Sequence, residues 1–139
     1  MRLSTREQYG VRAMVELARF YDQGPLSLAE VSRLQSISLA YLEQIVALLR
    51  EAGLVVSTRG AHGGYHLARE PQAITVGDVL RALEGPIAPV VCASEVRQPG
   101  CCEREKVCLT RSVWEKVRDS IITALDSTTL ADLIEQTPE

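Results

Sequence analysis

No run of 18 apolar residues occurs anywhere in this 139-residue chain, so no segment reads as a membrane-spanning helix. The opening Met1-Arg2-Leu3-Ser4-Thr5-Arg6-Glu7 lacks the apolar stretch and small-residue cleavage site of a signal peptide, which predicts a cytoplasmic protein in a reducing compartment. Histidine is scarce: only His62 and His66 occur, four residues apart. No nucleophile–base set and no phosphate-binding glycine loop accompanies them, so the chain is not expected to be an enzyme or to take a small-molecule substrate. The four cysteines, Cys92, Cys101, Cys102 and Cys108, lack the paired Cys-x-x-Cys knuckles of a zinc ribbon. In a reducing compartment they read as metal ligands or redox groups rather than structural disulfides. Biased tracts and internal repeats are also missing. What remains is an ordinary globular composition, 46% hydrophobic, sized for one domain with an appended element.

Charge is spread unevenly along the chain. The net value of −3 looks unsuited to a nucleic-acid partner, yet residues 1–69 carry eight arginines against six acids, net +2. Residues 70–139 carry seven basic residues against twelve acids, net −5. A phosphate-facing surface is therefore expected in the first half.

From Thr5 to about Tyr21, apolar residues Val11, Met14, Val15, Ala18 and Tyr21 recur at helical spacing. Gly24-Pro25 ends that helix. Ser27-Leu28-Ala29-Glu30 has the pattern of a capping box and opens a short second helix. After a break at residues 35–37, Ser38 can cap a third helix with Leu39, Leu42, Ile45, Val46 and Leu49 inward, ended by Gly53. Two short β-rich runs, Leu54–Thr58 and Tyr65–Ala68, flank the glycine-rich tip Arg59-Gly60-Ala61-His62-Gly63-Gly64 and predict a hairpin. A fourth helix begins at Thr75 and closes at Gly85-Pro86. Residues 86–107 show no period. A final helix follows, striped every four residues by Leu109, Val113, Val117, Ile121 and Leu125.

This order predicts a mostly α protein with a small β-hairpin wing: a winged helix-turn-helix followed by a long dimerisation helix. The predicted units are a DNA-binding domain at 1–85, a cysteine-containing sensor loop at 86–108, and the dimerisation helix with its C-terminal segment at 109–139. In such folds the third helix enters the major groove. Its candidate readers are Ser38, Ala40, Tyr41, Glu43 and Gln44, since glutamine can pair with adenine and glutamate can accept from cytosine N4. Arg59 and His62 stand between glycines at the tip, where a cation can approach the minor groove. The blander reading is a solvated helix face beside a hairpin that merely turns.

The opening Met1–Thr5 with Tyr9, the block Tyr41-Leu42-Glu43-Gln44, and Arg59–Tyr65 resemble the IscR-type family of regulators. So do Leu83–Ile87, Trp114 and Asp126-Ser127-Thr128-Thr129-Leu130. That family includes iron–sulfur cluster biogenesis regulators, nitric-oxide sensors and cysteine-metabolism repressors. The resemblance implies a dimeric winged-helix repressor or activator. It puts Ser38, Tyr41, Gln44 and Arg59 at DNA-contacting positions, with Glu43 tuning operator choice.

Three ligands drawn from one loop suit an Fe–S cluster better than a zinc ribbon, and adjacent Cys101 and Cys102 cannot both reach one iron without strain. The resemblance implies a 2Fe–2S cluster held by Cys92, Cys102 and Cys108, the last two separated by five residues. Where some members have Leu-Thr-His after the last cysteine, this chain has Leu109-Thr110-Arg111, and arginine offers a metal no lone pair. Cys101, Glu7 and Glu43 are the candidates for a fourth ligand, the acids by reaching across from a partner subunit. Free thiols or a reversible disulfide remain open, as does a zinc-stabilised interaction module that never touches DNA. The stripe on the last helix predicts a two-fold homodimer and hence a palindromic double-stranded operator.

Overall fold

A computed structural model of the chain describes residues 2–96, 99–100 and 102–136. Its elements run α1 (Thr5–Arg19), α2 (Leu28–Gln35), α3 (Leu39–Glu51), β1 (Val55–Thr58), β2 (Gly64–Leu67), α4 (Val76–Glu84), α5 (Arg111–Asp126) and α6 (Leu130–Ile134). This is the mostly helical fold with a two-stranded antiparallel wing that the sequence predicts.

Local chemistry sets each boundary. Ser4 opens α1 with a full capping box: its hydroxyl accepts from the Glu7 amide at 3.0 Å, and the Glu7 carboxylate accepts from the Ser4 amide at 2.9 Å. The helix stops at Arg19, two residues short of Tyr21. Ser27 caps α2 by accepting from the Glu30 amide at 3.2 Å, but the reciprocal half of the expected box is missing. Glu30 turns to the Arg33 guanidinium instead, a charge-assisted partner stronger than a neutral amide. Ser36 takes the left-handed conformation between α2 and α3, at φ 54°.

On α3, Leu42, Ile45, Val46 and Leu49 are buried against α1 and α4. Leu39, expected inward, is 42% exposed, because it lies in the first turn beside the exposed Ser38 and Ala40. In the wing, Val55 pairs with Leu67 and Thr58 with Gly64. The wing is tied to the body by two backbone bonds between Leu26 and Tyr65, at 2.9 and 2.8 Å. A Cβ on Gly64 would stand 2.5 Å from the Leu26 carbonyl oxygen, so only glycine allows this approach.

The last third departs most from expectation. The helical stripe begins at Arg111, leaving Leu109 outside it and 93% exposed. No side chain of α5 is buried. The core also draws on residues beyond α5. Leu130 is fully buried within it, and Leu133 and Ile134 pack against it. A capping box of Thr129 and Asp132 starts α6 afresh. Backbone bonds from Val76 to Thr128 and from Leu130 to Ile74 then dock the junction on the start of α4.

Candidate nucleic-acid interface and cysteine segment

The outward face of α3 presents together the residues that the sequence predicts as readers. Ser38, Glu43 and Gln44 are exposed and Tyr41 is half-buried. The Ser38 hydroxyl accepts from the Tyr41 amide at 3.2 Å, which fixes the start of the helix and leaves the hydroxyl proton free for an external acceptor. Tyr41 is held by Tyr9, ring centroids 5.8 Å apart, and Tyr9 in turn lies beneath the Arg12 guanidinium at 5.0 Å. An open groove beside this face is lined by Ser4, Arg6, Ser38, Tyr41, Gln44 and Glu84. Its wall is set by the Arg6 guanidinium, which donates to Glu84 at 3.1 and 2.8 Å, and by the Ser4 hydroxyl, which donates at 2.7 Å.

At the wing, Arg59 and His62 are exposed, whereas His66 sits in β2 opposite Val56. A second groove runs from Arg50 and Ser57 to Arg59 and Gly60. Sequence reading passed over Arg50 and Arg6. The available signal for Arg50 was a cation in the last turn of the reading helix, directly before the wing. A convex polar helix flanked by arginines can place amide, carboxylate and hydroxyl groups on base edges and cations on phosphates.

The cysteines lie apart from this face in sequence, on the segment between α4 and α5. Cys92 is half-buried in a short 3-10 turn, Val91–Ala93. Cys102 is exposed. Cys108 is half-buried, its Sγ 3.2 Å from the Thr110 hydroxyl. That hydroxyl, followed by the Thr110 and Arg111 amides, holds the Cys108 thiol below its ordinary pKa. Cys101 lies outside the described residues. Among the described residues, no three His, Cys, Asp or Glu side chains gather closely enough to hold a metal ion. The thiols are the right donors for an Fe–S cluster, and among the described residues they are not gathered around one point. Of the other ligand candidates, Glu7 is engaged in the α1 capping box and Glu43 stands out on α3. Arg111 pairs with Glu115 at 2.9 Å.

The model of a transcription-regulator family, described as "Rrf2: Iron-dependent Transcriptional regulator", matches residues 3–136. The chain belongs to the Rrf2 family. It is 46% identical to the HTH-type transcriptional regulator CymR of Bacillus subtilis, over 99% of this chain and 92% of CymR. The solved structure of B. subtilis CymR, described as "the Global Cysteine Regulator", matches with a TM-score of 0.80 at 45% identity, covering 99% of each chain. The structure of T. potens IscR also matches with a TM-score of 0.80, at 44% identity, covering all of this chain and 93% of that one.

As an Rrf2 member this chain is a DNA-binding transcription regulator of winged-helix fold, and its relatives are regulators rather than enzymes. No described helix is long and apolar enough to cross a membrane.

Proposed function

We propose that this Rrf2 protein is a cytoplasmic homodimer that reads a palindromic operator and takes its input at the cysteines of segment 86–108. Ser38, Tyr41, Glu43 and Gln44 address the major groove, while Arg59 and His62 address the minor groove from the wing. The observation that carries this reading is the exposed polar face of α3, held rigid from behind by Leu42, Ile45, Val46 and Leu49. Dimerisation falls to α5. Val113 and Trp114 are 45% and 40% exposed there, and none of its side chains joins the protomer core. A second copy covers such a stripe with the same stripe.

Two chemistries for the input have support. The spacing of Cys92, Cys102 and Cys108, together with likeness to IscR, favours an Fe–S cluster of 2Fe–2S type with a fourth ligand from Cys101, Glu7 or Glu43. Segment 86–108 then has to rearrange to gather its thiols. Likeness to CymR, together with three accessible and ungathered thiols, favours direct thiol chemistry.

The absorption spectrum of anaerobically purified protein separates them. Visible thiolate–iron bands, lost in Cys102→Ser and retained in Cys101→Ser, are expected for the cluster. Colourless, metal-free protein with reactive thiols selects thiol chemistry. Colourless protein with stoichiometric zinc contradicts both and points to a zinc-stabilised module.

A further inference from the structure

Arg81, in the middle of α4, ties together three segments that are far apart in sequence. Its guanidinium donates to Glu95 from Nε at 3.1 and 2.9 Å and from Nη2 at 3.0 Å. The same group donates to Asp126, at the end of α5, from Nη1 at 2.8 Å and Nη2 at 2.9 Å. Glu95 lies three residues beyond Cys92. Its carboxylate also accepts from the Ile87 amide at 2.5 Å, and its amide donates to the Ile87 carbonyl at 2.9 Å. Residues 87–95 thus form a closed loop with Cys92 inside it, fastened to α4 through one guanidinium. Arg81 and Glu95 are both partly shielded, 29% and 19% exposed, and each carboxylate is held below its ordinary pKa chiefly by the Arg81 bonds. Gly77, one turn earlier, is packed so closely that a Cβ there would stand 1.9 Å from the Asp126 carboxylate.

The other end of α4 reaches the DNA-facing groove. Glu84 follows Arg81 by one helical turn and holds Arg6 and Ser4 beside Ser38, Tyr41 and Gln44. Beside them, Leu80 and Leu83 bury one face of the helix in the core, so α4 can act as a rigid strut.

The geometry points to Arg81 as a positioning residue that couples the Cys92 loop and the α5–α6 junction to the groove beside the reading helix. This rests on the reading that segment 86–108 carries the input. Coupling is reciprocal: a loop state that alters DNA affinity must itself be altered by DNA.

The test uses the reduced, metal-free, full-length chain. Iodoacetamide labelling of Cys92 is followed by peptide mass spectrometry, with and without a duplex selected by the wild-type protein from a random pool. In the wild type, saturating duplex is expected to change the Cys92 labelling rate by about fivefold or more, the lower end of ordinary coupling. In Arg81→Gln the change disappears although the duplex still binds, and Arg81→Lys restores part of it. Should Arg81→Gln not fold, Glu95→Gln releases the loop alone and is expected to behave likewise. A folded, duplex-bound Arg81→Gln or Glu95→Gln that keeps the full wild-type change overturns the coupling role. So does a wild type whose Cys92 labelling ignores DNA. The underlying input reading fails separately, if joint Cys→Ser replacement at 92, 102 and 108 leaves duplex binding as in the wild type.

Discussion

Aspartate at both Val117 and Ile121 is expected to convert the protein into a folded monomer that no longer grips a full palindrome. Both residues lie on the α5 stripe and are only half-buried in the protomer, and no α5 side chain enters the core formed by α1, α3, α4 and Leu130. Two-fold packing on this stripe would bring each new carboxylate into an apolar seam. An unpaired charge left in such a place costs about 3–5 kcal/mol, so the dimer constant should fall by roughly a thousandfold or more. Light scattering reads the mass, and circular dichroism confirms that the helices survive. A variant that stays dimeric places the seam elsewhere. One that unfolds shows that the stripe supports the protomer itself.

Removal of the proposed reading groups is expected to have the next largest effect. Gln44→Ala takes away an exposed carboxamide from the outward face of α3 without touching the core, so the fold should be unchanged. A bidentate base contact is worth about 1–3 kcal/mol of discrimination, so preference among selected duplexes should fall by a factor of about 5 to 150. Arg59→Ala, at the wing tip, should weaken all duplexes to a similar degree and lessen the salt dependence by roughly one counterion. Competition binding across a salt series distinguishes the two effects. If both variants match the wild type at moderate salt, the α3 and wing surfaces do not read DNA.

What could be read from the residues was local. Ser38 and Thr75 cap their helices because short hydroxyls before apolar periods do so almost regardless of context. Gly53, at φ 79°, ends α3 as a residue without a Cβ can. Choices between partners were less legible: Glu30 had two within reach, the Ser27 amide and Arg33, and took the charged one. The return of α6 to α1 was hidden because one continuous stripe suggested one destination, whereas Thr129 and Asp132 start a separate helix. The Leu26–Tyr65 anchor and the Arg81 network join residues 39 or more positions apart at one arm each, which no local period reveals. In the proposed DNA-reading face, the helix start and wing tip were visible, but Arg6 and Arg50 emerged only when the grooves they line were formed. The cysteines were visible as donors. Their arrangement was not, since an aperiodic segment leaves side-chain direction to tertiary contacts.

The most direct measurement is the affinity of anaerobically purified protein for a selected duplex, by fluorescence anisotropy, beside the variant carrying serine at Cys92, Cys102 and Cys108. A regulator that reads DNA through α3 and takes its input at these cysteines is expected to bind tightly, with the variant's affinity shifted by about fivefold or more in either direction. Equal affinities for the two proteins, both before and after exposure to air, would contradict it.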